Sequence, residues 1–499
     1  MCWRGEVLRE DIGERFTAQR HADFSCRRIE AGDVTRRIVG VSIAVPLAMR
    51  LDVPTSLKIR QLIRPQLTLI GLAAMLILLV RWRPRRMVLP LSLIALALVV
   101  VFLNDASFIG GVRPFDGGDD GLFYEGVGRR IAQYALAGDF TNALRGEEDV
   151  FYRGLPGLRY FRALELFIFG DTNLGYLSLM LAMPVLALSV FCRFLQERWA
   201  VTIVILFVAI PIGIIFGSSY FQYAKWAARG FADPGAAVLL LAGLLILVGR
   251  KSDGPNARFA PAFGAGFTLF LAVFLRPNLA PFVAVMLGGA GIGALLNAQL
   301  YRLAGMCLGF LPVVCMALHN WYFGGVFVLF GSNSTWSGNL PTPPGVYLSA
   351  LLELVHFDLF GDNILHVLHQ IADWLSGPAE SYWTIPLNAG GVAIVVFVLA
   401  RGRAFDPWLR LVAAATLCEH MVALFYRPAG RYYYITWLLT FVVCAAWTRT
   451  QGLEHFRQRF PAAIDWFSRQ PITHGVKRAL DWGMVVSEAG PVRNPDAAG

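Results

Sequence analysis

Three aspartates lie within five residues of one another in a glycine-rich stretch, RPFDGGDDG, that follows an apolar run. They are Asp116, Asp119 and Asp120. Carboxylates held this close repel one another, which raises the pKa of one of them and suits it to act as a general base or to hold a cation. Asp119 or Asp120 is also well placed to cap a helix that begins there. Because a cap needs only one short polar side chain, the cluster of three predicts chemistry as well.

Basic side chains recur in three later segments, YAKWAARGFAD, LRPN and YRPAGRYYYI. In chain order they are Lys225, Arg229, Arg276, Arg427 and Arg431. An arginine is permanently charged and can offer two N–H donors at once to a phosphate, so this set predicts a site for an anionic group. The alternative for any one of these residues is that its long side chain covers apolar surface and places its charge at the membrane interface.

Two amphipathic helices are predicted beside the aspartates, and helices of this kind tend to lie in the plane of the membrane interface. The first, residues 121–137, would bury Leu122, Phe123, Val127 and Ile131 and expose Glu125, Arg129 and Arg130. The second, residues 158–169, has Leu158, Phe161, Leu164 and Ile168 on one face and Arg159, Arg162 and Glu165 on the other. Arg129 joins the basic residues predicted to bind substrate.

The composition decides which class of protein positions these side chains. Of 499 residues, 56% are hydrophobic and only 16% are charged, against about a quarter charged in soluble domains. The net charge of +10 lies in short segments between apolar runs, which is orientation information for a membrane protein. The sequence therefore predicts an all-α polytopic membrane protein and no nucleic-acid partner.

About eleven transmembrane helices are predicted, since a spanning helix needs roughly 20 apolar residues, several of which can come from the flanks. The apolar runs are 67–80, 87–103, 174–194, 200–216, 235–248, 259–275, 279–296, 303–318, 385–400, 411–425 and 434–447.

Every second gap between these runs is rich in arginine, which predicts that those gaps are cytoplasmic. The alternate gaps are then external: residues 104–173, 217–234, 276–278, 319–384 and 426–433. They contain all the acidic and basic residues singled out above. An excess of arginine beside external helix ends opposes the usual trend, which favours a binding role for the group.

The chain divides into an N-terminal segment, residues 1–63, a transmembrane core, residues 64–448, and a cytoplasmic tail, residues 449–499. Residues 1–48 are charged and show no periodicity, and we expect the physiological start to be Met49. The tail is expected to be disordered from about residue 488, given its Gly, Pro and Ala content.

Neither disulfides nor a metal site is predicted. Most of the seven cysteines lie in or at the ends of apolar runs, and none lies in a predicted external gap. His366 and His369 are spaced to share a helix face, but no carboxylate completes a ligand set, so surface histidines are the preferred interpretation. A divalent cation at the aspartates stays possible, and no other cofactor is predicted.

The segment GDDGLFYEGVGRRIA resembles the first external loop of GT-C-type glycosyltransferases, especially the branch that contains protein mannosyltransferases and aminoarabinose transferases. That loop has an acidic pair, then aromatics, then an arginine and an apolar helix. Asp119 and Asp120 match the pair, with Asp120 in place of the commoner Glu. Phe123 and Tyr124 match the aromatics, and Arg129 or Arg130 the arginine. LRPN and YRPAGRYYYI resemble the arginine-containing external turns of the same enzymes.

The resemblance implies a GT-C-like fold and an inverting transferase of the bacterial inner membrane. The donor would be a polyprenyl-phosphate-linked sugar, and the acceptor an envelope lipid such as that of lipopolysaccharide, a glycan or a protein. Asp119 would be the base, and Asp120 would orient the acceptor or bind a cation. Arg276, Arg427 or Arg431 would hold the departing phosphate.

Two other kinds of envelope protein compete with this interpretation. A transporter or flippase of lipid-linked saccharides would have charged residues within its spans, whereas these apolar runs are nearly free of charge. A ligase or polymerase of the O-antigen type would rely on Arg and His in a large external loop more than on acids after an early span.

Overall fold

The computed structural model describes residues 84–104, 119–146, 156–170, 174–209, 219–249, 255–325, 327, 329, 342–378, 382–401, 405–425 and 430–452. Within these ranges the regular structure is entirely helical, with no β-strand. Five of the predictions fall outside the described residues: the N-terminal segment 1–63, the apolar run 67–80, Asp116, Arg427 and the tail beyond residue 452.

Most of the helices follow the apolar runs of the sequence, and the others lie in the gaps between those runs. In chain order they are α1 (Pro84–Asn104), α2 (Asp119–Leu136), α3 (Phe140–Arg145), α4 (Pro156–Phe169), α5 (Leu174–Phe194), α6 (Glu197–Ala209), α7 (Tyr220–Ala228), α8 (Ala232–Val248), α9 (Pro255–Leu275), α10 (Ala280–Leu296), α11 (Leu300–Phe310), α12 (Val313–Gly324), α13 (Pro344–Val355), α14 (Asp362–Ser376), α15 (Ile385–Ala400), α16 (Pro407–Phe425) and α17 (Tyr434–Trp447). Short 3₁₀ turns, Pro277–Leu279, Tyr382–Thr384 and Gly430–Tyr433, precede α10, α15 and α17.

Five helical stretches are long and apolar enough to cross a membrane: Leu177–Phe194, Pro277–Leu296, Leu300–Gly324, Tyr382–Ala400 and Pro407–Phe425. Every predicted apolar run after the first overlaps one of the helices above, but several of these helices are shorter than a span. The described part of the chain is thus helical and contains five candidate membrane spans, and the total of about eleven stays a prediction.

Glycines let helices of the core approach closely. A Cβ on Gly266 of α9 would lie 2.5 Å from the carbonyl oxygen of Met306, and one on Gly305 of α11 would lie 2.6 Å from that of Phe259. Such contacts leave no room for a larger residue, and this is how helices pack in lipid, where apolar burial alone does not drive association. The α9–α11 pair therefore forms a rigid part of the bundle.

The first amphipathic helix forms as α2, but the prediction of its buried face was partly wrong. Val127 and Ile131 are buried, whereas Leu122 and Phe123 are exposed. Tyr124 is buried in their place. The cause is a close contact of Gly121 with another part of the chain, because it turns positions 121, 124 and 128 toward the protein.

Charge on α2 also differs from the prediction at one position. Glu125 was expected to be exposed, but its side chain is only 12% accessible. Its carboxylate lies 3.2 Å from Nε of Arg129, one turn further along. Arg129 and Arg130 are exposed, as predicted.

The second amphipathic helix forms as α4, with its charged face toward the protein. Arg159, Arg162 and Glu165 are 0%, 1% and 3% exposed. Leu164 and Ile168, from the apolar face, are 54% and 46% exposed. Leu158, which was assigned to the apolar face, is instead buried in the core at 1% exposure, so that part of the prediction was wrong. The charged face is present as predicted, but it is turned toward the protein.

Antiparallel packing brings alternate helix ends together at one end of the bundle. There Nη1 of Arg449 donates to the carbonyl oxygen of Phe194 at 3.3 Å, and Nη2 of Arg302 donates to that of Leu247 at 3.0 Å. Both acceptors lie in the last turn of a helix, where carbonyl groups lack helical partners. We call this the arginine-capped end. Its residues were predicted to be cytoplasmic, and that sidedness stays a prediction.

One predicted external boundary differs from the structure. The run 303–318 was expected to end before His319, but the candidate span continues to Gly324. The helix ends there because Gly325 adopts a left-handed φ of 70° that closes the last turn. His319 therefore lies within a candidate span, about 7.5 Å along the helix from its end.

Candidate functional site

A narrow cleft lies at the other end of the bundle, where α8 begins and α9 ends. It is lined by Tyr223, Trp226, Asp233, Pro234, Ala236, Ala237, Arg276, Leu279, Arg431, Tyr432, Tyr434 and Ile435. We call it the arginine cleft. Two of the six basic residues predicted to bind substrate, Arg276 and Arg431, line it.

Arg276 is held in the cleft by an acid that the sequence did not single out. It follows the last residue of α9, and its Nε lies 2.9 Å from Oδ1 of Asp233, in the first turn of α8. Both side chains are about nine-tenths buried, at 12% and 10% exposure. The guanidinium also lies over the ring of Tyr432, with 4.3 Å between Cζ and the ring centroid. Nε of Arg276 has no hydrogen bond of good geometry, so the pair with Asp233 is an electrostatic contact, and the ring of Tyr432 sets the plane of the guanidinium.

Arg431 contacts the same tyrosine ring. Its Cζ lies 4.9 Å from the centroid of Tyr432 and 4.0 Å from that of Phe231, and its Nη2 donates to the hydroxyl of Tyr432 at 3.0 Å. Two guanidinium groups thus share one aromatic ring. Two like charges in a partly buried place repel, and an anionic group between them would relieve that repulsion.

Hydrogen bonds fix the aromatic walls. Trp226 meets Tyr434 edge to face with 5.4 Å between ring centroids, and Tyr434 donates its hydroxyl to the carbonyl of Ser219 at 3.1 Å. Tyr223 donates to the carbonyl of Leu179 at 2.9 Å. Burial raises the pKa of the Tyr223 hydroxyl well above its usual value, so that it stays a neutral donor. Tyr223 and Tyr434 are themselves 1% and 3% exposed, so they form the closed inner wall of the cleft.

The start of α2 lies against the turn that leads into the cleft. A side chain on Gly121 would collide with the backbone carbonyl of Arg229, so the two segments touch directly. The first two residues of α2, Asp119 and Asp120, are therefore placed beside the turn that precedes Asp233. The side chains of both aspartates lie outside the described part of the structure, so their predicted catalytic roles are untested.

Arg162 of α4 also binds the turn that precedes Asp233. Its Nη2 donates to the carbonyl oxygen of Gly230 at 3.0 Å, and its Nη1 pairs with Oε2 of Glu165 at 2.5 Å. A Cβ on Gly128 of α2 would lie 2.6 Å from Cβ of Arg162, so α2 and α4 pack closely at this point. Arg162 thus links α2, α4 and the turn before the cleft.

The remaining predicted basic residues lie elsewhere. Arg129 is about 12 Å along α2 from Gly121 and pairs with Glu125. Lys225 is exposed on α7, and Arg229 is half-buried at its C-cap. The structure brings Arg276 and Arg431 together, and neither Arg129, Lys225 nor Arg229 lines the cleft.

Within the described residues, no group of three His, Cys, Asp or Glu side chains could hold a metal ion. His366 and His369 instead contact protein groups: Nε2 of His366 lies 3.2 Å from the hydroxyl of Thr342, and that of His369 lies 3.4 Å from a carboxylate oxygen of Asp373. A cation at the aspartates of the first external gap stays a prediction.

Two ionisable residues that the sequence reading missed lie inside the candidate span Pro407–Phe425. His420 is buried in a complete chain of hydrogen bonds. Nε1 of Trp374 donates to its Nδ1 at 3.1 Å, its Nε2 then donates to the hydroxyl of Thr440 at 2.8 Å, and Thr440 donates to the carbonyl of Thr436 at 2.9 Å. This chain requires a neutral imidazole and gives His420 a structural role.

Glu419 is different. It is fully buried, and neither carboxylate oxygen has a hydrogen bond of good geometry within the described structure. The backbone amide of Phe282 faces the carboxyl, and the charge of Arg276 attracts it. Glu419 lies six residues before the end of α16, about 9 Å below the level of the helix end. The sequence could have identified Glu419 and His420, because the segment CEH places two ionisable side chains within an apolar run.

No protein family model matches the chain, and neither curated proteins nor solved structures show a match to it. The arginine cleft and its surroundings therefore provide the physical basis for a functional conclusion.

Proposed function

We propose that this chain is a membrane glycosyltransferase. It would move a sugar from a polyprenyl-phosphate-linked donor to an envelope lipid, glycan or protein on the external face of the bacterial inner membrane. The observation that carries the proposal is the arginine cleft, in which Arg276 and Arg431 share the ring of Tyr432 beside aromatic walls. A lipid-linked sugar phosphate offers an anion to the arginines.

The arginines would bind the phosphate of the donor. Asp233 attracts the Nε side of Arg276, and the ring of Tyr432 sets the plane in which the other N–H donors of the guanidinium lie. Arg431 approaches the same ring from its own position on the chain, so a phosphate at Tyr432 would be within reach of both. Charge that develops on the leaving phosphate in the transition state would then be stabilised where it forms.

Transfer would proceed by a single displacement. Asp119 takes the proton of an acceptor hydroxyl, the hydroxyl oxygen bonds to the anomeric carbon, and the bond from that carbon to the phosphate oxygen breaks. The polyprenyl phosphate leaves with the electron pair, and the configuration at the anomeric carbon is inverted. The contact of Gly121 with Arg229 supports this assignment, because it sets the first turn of α2 beside the cleft.

The test is mass spectrometry of envelope glycans and glycolipids from five strains. One lacks the protein, and the others carry the wild type, Asp119→Asn, Arg276→Gln or the control Arg193→Gln at matched membrane levels. General-base catalysis contributes about 10²- to 10⁴-fold, so Asp119→Asn should lose the same sugar mass as the deletion. Arg193→Gln, at the arginine-capped end, is the matched control and should retain that mass.

Full rescue by Asp119→Asn would show that this residue is a helix cap, and the base would have to be sought at Asp116 or Asp120. An unchanged set of envelope sugars in the deletion strain would reject the transferase.

The second candidate is a transporter or flippase of lipid-linked saccharides, and Glu419 is the observation that favours it. A buried carboxyl within a span is expensive, and such residues often mark a transport pathway. Its position near the end of α16, under the arginine cleft, agrees better with an interface site than with a site at the bilayer midplane. Purified protein in liposomes would separate the two: a transporter moves a labelled polyprenyl-phosphate sugar between leaflets without an acceptor, and a transferase consumes it only with one.

A further inference from the structure

The outer face of α4 has no charged residue. Between Pro156 and Phe169 the only charged side chains are Arg159, Arg162 and Glu165, and all three are buried. Leu164 and Ile168 point outward, with half-buried aromatic rings on either side of them. A helix beside water has the reverse arrangement, with its charges outside.

The inner face of α4 can be buried because its charges have partners in the protein. Arg162 pairs with Glu165 at 2.5 Å and donates to the carbonyl of Gly230, and Arg159 donates to the carbonyl of Gly146 at 3.4 Å. Taking these charges out of water costs several kcal/mol per ion. The charges of α4 would face the protein if burial there costs less free energy than contact with the medium on the outer side of the helix.

The N-terminal half of α4 contacts a neighbouring candidate span at a level inside the end of that span. The hydroxyl of Tyr160 lies 3.1 Å from Nε2 of His319, and both side chains bond to the carbonyl of Leu144. His319 is five residues before the end of the candidate span Leu300–Gly324, which puts Tyr160 about 7.5 Å inside that end.

α4 meets two further apolar helices, one before and one after Tyr160. A Cβ on Gly157 would collide with the backbone of Phe274 at the end of α9, and one on Gly175 at the start of α5 would collide with the carboxylate of Glu165. Along its length α4 therefore meets α9, then α12 and then α5, at or near the ends of these helices. Its outer face continues the apolar surface of the spans.

We propose that the outer face of α4, formed by Leu164, Ile168 and the rings between them, is immersed in the acyl chains of the bilayer. The occupant is membrane lipid, because the burial of every charge on the opposite face indicates hydrocarbon outside, and the contact with His319 gives the depth. α4 is thus part of the membrane-embedded surface, with its charges turned toward the protein. This inference does not depend on the proposed function.

The test uses the full chain with its native cysteines replaced, one copy per nanodisc of phosphatidylethanolamine and phosphatidylglycerol. Leu164→Cys, Ile168→Cys and the control Gln133→Cys, an exposed polar position on α2, each carry a nitroxide label. Electron paramagnetic resonance compares collisions with oxygen, which enters hydrocarbon, and with a polar nickel chelate, which does not. The ratio should be about tenfold higher at positions 164 and 168 than at 133, because polar solutes are excluded from hydrocarbon.

Both α4 positions are exposed, so cysteine there should not disturb the core, and thermal unfolding equal to that of the cysteine-free parent confirms it. Having two positions keeps the result interpretable if one variant fails to fold. Nickel access at 164 and 168 equal to that at 133 would overturn the proposal in favour of water. Access to neither reagent would overturn it in favour of a covering protein segment.

Discussion

Arginines hold the two ends of the helix bundle in different ways. At the arginine-capped end, Arg302 and Arg449 donate to backbone carbonyls in the last turns of other helices. At the cleft end, Arg276 and Arg431 lie on aromatic rings, and Arg276 pairs with Asp233. The first pair completes hydrogen bonding that helices always leave open. The second pair concentrates positive charge in a cleft.

The difference shows how the role of an arginine can be judged from what it contacts. A carbonyl at a helix C-terminus is a structural partner, whose bond stabilises the fold through the helix dipole. Aromatic rings and a carboxylate hold guanidinium groups side by side in a cleft, where their combined positive charge favours an anion. Substitutions at each kind of position should accordingly change different measured quantities.

The largest effect is expected on stability at Arg162, which lies at the cleft end but has a structural role. Arg162→Met leaves Glu165 buried without its closest partner, and breaking a buried ion pair in this way costs about 3–5 kcal/mol. The measurement is thermal unfolding of the purified protein in detergent. Arg162→Met combined with Glu165→Met should recover most of the loss, and failure to do so would mean that Arg162 acts mainly through Gly230.

The second effect is on binding at the cleft and follows from the proposed function. Arg276→Gln or Arg431→Gln should weaken binding of a polyprenyl phosphate by about 10- to 100-fold, since a hydrogen bond to a charged group contributes about 1.5–3 kcal/mol. The Kd is measured on purified protein. Arg193→Gln is the control, because that side chain is exposed and 3.6 Å from Asp406 at the opposite end. Equal loss in the control would end the distinction between the two ends.

A smaller effect on stability is expected at the arginine-capped end. Arg302→Gln removes one hydrogen bond to the carbonyl of Leu247, worth about 1 kcal/mol, and should lower the unfolding temperature slightly. The Kd for polyprenyl phosphate should not change. A change in that Kd would show that the two ends are coupled.

The smallest effect is expected in the hairpin of α13 and α14, which the carboxylate of Glu353 stabilises. Residues 342–378 contain no Lys or Arg. Glu353 accepts hydrogen bonds from the side chain of Asn363 and the amide of Ile364, and these lower its pKa below the usual 4.5. Because the pKa is lowered in the folded state, the stabilisation is present above pH 4.5 and is lost as pH falls through the lowered value.

Hydrogen exchange at residues 356–366, corrected for intrinsic rates, should therefore increase between about pH 6 and pH 3 in the wild type. Glu353→Gln should show little dependence on pH over the same range, and an identical increase in that variant would assign the effect to another group.

The helices along the apolar runs were predictable because an apolar run of this length has few other ways to satisfy its backbone hydrogen bonds. Arg276 and Arg431 were also predictable, since each follows or precedes an apolar run that had to end nearby. Asp233 was not, because an acid in the first turn of a helix satisfies the helix dipole and gives no sign of a distant partner. Only the contact of α8 with the end of α9 reveals that it holds Arg276.

The orientation of α4 shows a more general limit. The helical period of 3.6 residues places Leu164 and Arg162 on different faces of α4, but it does not indicate which face meets the protein. In water the apolar face turns inward, and at a membrane either face can. Partners such as Gly230 and Gly146, distant in sequence, decided it. Likewise, the contact of Gly121 with Arg229 set the rotation of α2 and exposed Leu122 and Phe123.

The bond from Arg162 to the carbonyl of Gly230 has a mechanical consequence. If α4 floats in the leaflet as we propose, its height follows the thickness of the hydrocarbon, which differs by a few ångströms between membranes. Arg162 would transmit a vertical displacement of α4 to the turn that carries Arg229, and from there to Gly121 and the aspartates of α2. Turnover in such a protein would respond to the lipid chain length of its host membrane, so that the bilayer itself adjusts the alignment of the site.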